Sequence, residues 1–294
     1  MTIVDLIRKT ASRFVEANLY FGHGTFDALD EAAWLMTAVL NIDPDTLDEY
    51  ADQQLDSQQA QTFETIARQR IETRKPLAYL INEAWFCGMK FYVDDRVIVP
   101  RSLIGEFILE DFQPWLGDRQ LGRILDLCTG SGCIAIALAH QFPNAKVDAI
   151  DLSADALEVA RINIERHTLQ DRVTVIESNL FDALTDQKYD LIVSNPPYVH
   201  PDSMPGLPAE YGHEPDMALV AEEGGLNIVD RILAEASNYL TTDGLLVVEV
   251  GESQHAVMRK YQDLPLTWLS HTSGEDSVFL IENNDLQIAA KSRA

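Results

Sequence analysis

The chain has 294 residues, 46% of them hydrophobic, enough to build one large domain or two ordinary ones around a substantial core. Its formal net charge of −25 argues against direct binding of DNA or RNA, which calls for a basic footprint. No apolar run approaches the ~20 residues needed to span a bilayer, so no membrane association is expected. The start, Met1-Thr-Ile-Val-Asp-Leu-Ile-Arg, carries an acid and no signal-peptide pattern, and the cytoplasm is the expected compartment. Cys87, Cys128 and Cys133 are too few and too scattered for a disulfide framework or a zinc site, and the seven histidines show no metal-ligand spacing.

From the N-terminus, Ile3, Leu6, Ile7, Phe14 and Val15 mark one helix face. Asp30–Leu40 reads as a more apolar helix. Ser57–Thr73 is another, with Phe63, Ile66, Ala67 and Arg70 at helical intervals, and Pro76 stops it. Residues 84–99 change period: Phe86, Phe91, Tyr92, Val93, Val97 and Val99, with Gly88 and Asp94-Asp95, read as a β-hairpin. Residues 1–83 are therefore expected to form a small helical domain, 84–100 a hairpin linker and 101–294 a second domain. After Pro100 strands alternate with helices, which predicts an α/β fold with a parallel-rich sheet. Strands are expected at 123–128, 145–150, 172–177, 189–194, 244–250, 266–271 and 277–282. Helices are expected at 132–141, 153–167, 225–240 and 253–261. Residues 199–223 read as a long loop, a feature that is usually functional or mobile in a compact domain.

Two motifs carry chemistry. The first is Arg123-Ile-Leu-Asp-Leu-Cys-Thr-Gly-Ser-Gly-Cys, a strand running into a glycine turn and a helix. Gly130 and Gly132 let the backbone approach a ligand, and Cys128 stands where a first glycine of a G-x-G-x-G run would. The next strand ends in Asp151, about 20 residues on, where a carboxylate can hold ribose hydroxyls. The spacing G-x-G-x-x-G is missing, so the turn suits a nucleoside without a pyrophosphate. The second motif is Asn195-Pro196-Pro197-Tyr198, after an apolar strand. The prolines hold Asn195 extended. Its side-chain oxygen and a nearby backbone carbonyl can then accept both N–H bonds of a planar –NH2 group lying on Tyr198. By itself the tetrapeptide reads equally as a Pro-Pro turn behind a buried strand.

Together these motifs resemble the class I S-adenosylmethionine-dependent methyltransferases that act on planar amines and amides. Val99-Pro100-Arg101, Asp126–Gly132, Asp151, Asn195–Tyr198, Glu214-Pro215 and Ala218-Leu219 are similar to the protein-(glutamine-N(5)) methyltransferases. Tyr20–Thr25, Ala84–Gly88, Pro100–Glu106 and Glu210–Pro215 resemble the branch that modifies the third large-subunit ribosomal protein, more than the release-factor branch. The resemblance implies a Rossmann-like, seven-stranded sheet with an N-terminal substrate-recognition domain, in which Tyr20–Gly24 is a candidate contact segment. It implies S-adenosylmethionine as cofactor, held by Asp126, Cys128, Thr129, Gly130, Ser131, Gly132, Asp151, Asn179 and Asn195, with Asn179 accepting from the adenine amine. Asn195 and the Pro196 carbonyl would accept from the substrate amide while Tyr198 positions it. Asp126 either orients the turn or meets the methionine amino group, and Arg101 either docks a carboxylate or caps the helix near Ser102. His23 is expected to have no chemical role. The strong acidity suits a basic ribosomal-protein partner met before assembly, and equally suits plain solubility or salt adaptation. A release factor, an exocyclic amine of RNA or DNA, and a cofactor-binding module without turnover are the competing readings.

Overall fold

The computed structural model describes residues 1–221, 226–272, 274 and 276–293. Helices α1 (Ile3–Glu16), α2 (Ala28–Leu40), α3 (Ser57–Thr73) and α4 (Leu77–Ile81) come first. Thr2 and Asp5 form a reciprocal cap at the start of α1, and Asp56 and Gln59 do the same for α3, satisfying amides that have no partner within the helix. The stripe Ile3, Ile7 and Phe14 packs against Leu35, Phe63 and Ala67 from the next two helices. This cluster also takes in Val93, Val97 and Val99 and reaches Ala156 and Val159 of the helix Ala154–Arg166.

A hairpin, β1 (Ala84–Phe86) and β2 (Met89–Phe91), and a short helix α5 (Ile104–Leu109) lead into the sheet. There the chain runs β3 (Arg123–Leu127), α6 (Cys133–Gln141), β4 (Lys146–Asp151), α7 (Ala154–Arg166), β5 (Val173–Glu177) and β6 (Tyr189–Ser194). It continues through α8 (Asp216–Leu219), α9 (Asn227–Glu235), β7 (Leu240–Glu249), α10 (Gln254–Lys260), β8 (Thr267–Leu269), β9 (Val278–Glu282) and α11 (Asn283–Arg293). The seven strands lie in the order β5-β4-β3-β6-β7-β9-β8. Strand β9 pairs antiparallel with both neighbours, whereas β5 through β7 are mutually parallel. Alternate residues feed opposite faces: Ile124, Val147, Leu191 and Leu245 join one core, and Leu125, Ile192, Leu246 and Val248 join the other. The strand order reverses between β3 and β6, and at such a switch point the strand ends open a crevice for ligands.

Several expectations from the sequence are corrected. The hairpin stops at Phe91: Cys87 and Gly88 make its turn with φ of 49° and 71°, and Asp94 then turns the chain by accepting from the Arg96 amide. Val93, Val97 and Val99 are buried in loop and not in strand, since one buried side of a loop mimics a period of two. Helix α3 ends because Arg74 takes a left-handed conformation, φ 59°, and Pro76 instead opens α4. Helix α9 ends at Glu235, and after a single tight turn β7 begins at Leu240, inside the expected 225–240 helix. The first residue of that expected helix lies outside the described residues. The described part of 199–223 is not loop throughout: it holds turns at Pro201–Gly206 and Ala209–His213, helix α8 and a bridge pairing Val199 with Val220. Helices α4 and α11 had no counterpart among the expected elements.

Candidate active site

The turn after β3 is built from within. Asp126 is fully buried and accepts from the Thr129 hydroxyl at 2.5 Å and the Ala135 amide at 3.1 Å. It thereby ties the turn to the start of α6. Burial pushes its carboxyl up to about 7, against the pull of those two donors. The turn needs three left-handed residues, Cys128, Gly130 and Gly132, with φ of 62°, 54° and 80°. The two glycines serve different ends. A methyl group on Gly130 would meet nothing within 4 Å, so its backbone is open to a ligand. One on Gly132 would lie 3.3 Å from the Ala160 β-carbon, so that glycine lets α6 approach α7. The Gly130 amide donates to Asp151 at 2.8 Å, and the Ser153 amide donates to the other oxygen at 2.9 Å. Burial raises the pKa of Asp151, and these backbone donors oppose the rise.

A cavity of about 390 Å³ opens over these strand ends. Of the residues expected at a cofactor, Cys128, Gly130, Asp151, Asn179 and Asn195 line it. Asp126, Thr129, Ser131 and Gly132 do not, because they form the rear of the turn. Sequence reasoning missed much of the wall: Val97 and Ile98 from the stretch before Pro100, Leu152 and Leu180 beyond β4 and β5, Met217 and Ala218 of α8, and Ile228 of α9. Leu152 and Leu180 carried a signal as apolar residues next to polar candidates, and Ala218 belonged to the Ala218-Leu219 motif.

A second cavity, about 530 Å³, lies beside the first. Pro196, Tyr198, Arg101, Tyr211, Gly251 and Gln254 are among its walls, and Ile98, Asn195 and Ala218 line both cavities. Asn195 thus stands where the two meet. Its side-chain oxygen is buried and has no hydrogen-bond partner. Such an acceptor is costly to leave unmet. The preceding residue is held rigidly, the Ser194 hydroxyl donating to the Leu127 carbonyl at 2.9 Å. Tyr198 is set by the end of β7. Its carbonyl accepts from the Ser253 hydroxyl at 3.1 Å, and its ring lies so close to Gly251 that a methyl group there would fall 2.3 Å from a ring carbon. Burial, and next the Glu249 charge, raise the Tyr198 hydroxyl above its ordinary range. Glu249 accepts from the Ser102 hydroxyl at 2.6 Å and the Leu103 amide at 3.0 Å; burial still pushes it up to about 7.

Arg101 docks a carboxylate of its own chain. It grips Glu214 with two hydrogen bonds, 2.6 and 2.7 Å, and lies 5.3 Å over the Tyr211 ring. Burial would raise the Glu214 carboxyl, but the Arg101 bonds and charge outweigh it and hold the group down at about 2. His23 is buried with Nε2 3.5 Å from Glu214 and its ring against Tyr211. The Tyr20 amide donates to Glu210 at 3.0 Å. The Tyr20 amide and the His23 ring of segment Tyr20–Gly24 are thus engaged within the chain, while the Tyr20 side chain and nearby Phe26, 95% exposed, face water.

Sheet order, glycine turn and strand-end cavity define a Rossmann-like methyltransferase. Residues 106–205 match the family model "Methyltransferase small domain", and residues 5–81 match "PrmC N-terminal domain". The fold is shared with the crystal structure of the hMettl16 catalytic domain, at a TM-score of 0.52 and 18% identity over 76% of this chain and 81% of that one. A ribosomal protein uL3 glutamine methyltransferase from Burkholderia pseudomallei is 46% identical over 98% of this chain and 97% of its own length. One from Francisella tularensis is 45% identical over 97% of this chain and 91% of its own. The chain belongs to the family of ribosomal protein uL3 glutamine methyltransferases.

Proposed function

We propose that this protein transfers a methyl group from S-adenosylmethionine to the side-chain amide nitrogen of a glutamine in ribosomal protein uL3. The observation that carries the reading is the buried, partnerless oxygen of Asn195 at the junction of two cavities. The residues of the first cavity fit the cofactor. Asp151 would hold the ribose hydroxyls, each carboxylate oxygen keeping a lone pair beyond its backbone donor. Asn179 offers an amide oxygen to the adenine amine, and Leu152 and Leu180 offer apolar surface to its ring. S-adenosylmethionine supplies the methyl group on a sulfonium, already a strong electrophile.

An amide nitrogen is a poor nucleophile because its lone pair is delocalised into the carbonyl. The protein therefore has to align and polarise it more than deprotonate it. Asn195 Oδ1 and the Pro196 carbonyl accept the two N–H bonds, and Tyr198, braced on Gly251, supports the flat group. Alignment of this kind can supply ~7–11 kcal/mol of a barrier, and the acceptors favour the positive charge that grows on nitrogen. The proton can leave after transfer, so a dedicated base is not required. Glu249 is occupied by Ser102 and Leu103.

In this reading residues 1–83 present the substrate, 84–100 link, and 101–294 carry out catalysis in the cytoplasm. Among the described residues no helix is long and apolar enough to cross a membrane. The substrate is free uL3: an acidic enzyme meets a basic protein faster, at a rate that falls with salt, and is repelled by rRNA phosphates after assembly. The test is transfer of labelled methyl to purified uL3, assembled large subunits, release factors and RNA, followed by peptide mapping. Label on a glutamine of free uL3 is expected. Label mainly on a release-factor glutamine would overturn the substrate, and label on RNA would overturn the amide chemistry with it.

A further inference from the structure

Segment 207–219 forms a wall shared by the two cavities. Leu207, Tyr211 and Leu219 face the second, Pro215 and Met217 the first, and Ala218 both. Two buried carboxylates fasten the wall at separate points, beside a bond between the His213 ring and the Thr73 carbonyl at 3.0 Å and one from the Val199 amide to the Leu219 carbonyl at 2.9 Å. Glu214 is gripped by Arg101 and by the Val99 amide at 3.0 Å, next to the residues of the cofactor side. Glu210 is the only buried residue of the turn Ala209–His213. It receives the Tyr20 amide at 3.0 Å, Arg70 at 3.3 Å and Arg74 at 2.8 Å. Arg70 is itself buried and also binds Glu31 at 2.7 Å. Two cations and two carboxylates thus close a charge-neutral cluster between the N-terminal helices and the wall.

We propose that Glu210 is a positioning residue for methyl transfer, through which Arg70 and Arg74 of the N-terminal helices hold the acceptor side of the wall in its closed shape. The inference rests on the second cavity being the acceptor site. Physically, a buried ion cluster tolerates neutral pairing but not a single uncompensated charge. Loss of the Glu210 charge leaves the cluster one positive charge in excess, and the turn carrying Tyr211 detaches. Residues 214–219, which carry Pro215 and Met217, keep their own fastening at Glu214 and through the pairing of Val199 with Val220. The Glu210 carboxyl lies below its ordinary range despite burial, as its donors require.

The split between the two sides makes the inference testable in the full-length protein with Glu210→Gln. If the wall is closed only about a tenth of the time, apparent affinity for the acceptor falls ~10-fold while turnover at saturation is kept. The expected result is a KM for uL3 raised ~10-fold, kcat within about twofold, and cofactor affinity by calorimetry within about twofold. Hydrogen exchange of peptides covering 207–213 should quicken while that of 214–219 should not, a readout that needs no substrate. Arg74→Met added to Glu210→Gln restores neutrality and should bring KM back toward wild type. Unchanged exchange at 207–213, equal losses on both sides, or a double variant worse than the single one would overturn the inference. Absence of methyl transfer by the wild-type protein would instead sink the acceptor reading, with the exchange result standing apart from it.

Discussion

The two cavities that meet at Asn195 are made in different ways. The cavity proposed for the cofactor has short runs of lining residues at the ends of β3, β4 and β5, such as Cys128 with Gly130 and Ile150 through Ser153. The cavity proposed for the acceptor gathers Arg101, Asn195, Pro196, Tyr198, Tyr211, Gly251 and Ser277 from places far apart in the chain. Local construction makes the first site depend on backbone turns that few side chains can upset. The second depends on long-range fastenings: Arg101 to Glu214, Glu210 to Arg70 and Arg74, Tyr198 to Gly251 and Ser253. A substitution on one side should therefore leave the other nearly intact.

The sharpest way to break that comparison is to cross the two sides. Asn195→Ala should lower single-turnover rate by ~10²–10³, by analogy with loss of one oxyanion-hole donor, with cofactor affinity retained in calorimetry. Asp151→Ala should do the reverse, weakening the cofactor ~10-fold or more, the worth of one hydrogen bond to a charged group. Circular dichroism should show both variants folded. Normal single-turnover rates for Asn195→Ala would remove it from the acceptor role, and unchanged affinity for Asp151→Ala would remove it from the ribose.

Gly251→Ala tests the bracing of Tyr198. The new methyl would overlap the ring and sit on a residue with φ 45°, a region unfavourable to alanine. Rates should drop ~10-fold through misalignment, where a displacement of about 1 Å can cost ~10². Cofactor affinity should not move. A variant with wild-type rate would show that Tyr198 needs no fixed position.

The smallest expected effect is on stability. Glu249 sits behind Tyr198 with a folded-state value of about 7 against an ordinary 4.5. The folded protein therefore keeps this proton to higher pH than the unfolded chain does. Stability from this group is highest below 4.5 and declines as pH rises toward 7. Asp126, also raised to about 7, acts in the same direction. Glu249→Gln removes one of the two terms, so the Tm of the variant should gain on wild type between pH 4.5 and 7. A Tm difference that stays constant over that window would mean that Glu249 is charged in the fold.

Legibility in the sequence followed the same division. The alternation of strands and helices placed β3 to β6 within a residue or so, because each reports its burial through its own side chains. The left-handed turn was visible in Gly130 and Gly132, yet their separate duties, one facing the cavity and one facing α7, were not. Asp126, which from sequence either orients the turn or meets the methionine amino group, accepts from the Thr129 hydroxyl within the turn. Arg101, with two open roles from sequence, found its carboxylate 113 positions away. The loop after the tetrapeptide hid its turns because their order comes from Glu210 and Glu214 binding partners outside the segment.

What the sequence by itself determined was local. Hydrophobic period set the sheet and the glycines set the left-handed turn after β3, since each is a property of neighbouring residues and their allowed torsions. The tertiary structure alone decided which residues face each cavity, how the helices before Pro100 reach the acceptor wall, and that Asn195 is left with a buried, unmet oxygen. Those depend on contacts between segments a hundred or more residues apart, and on the cost of burying charge and polar atoms without partners, which no short window of sequence records.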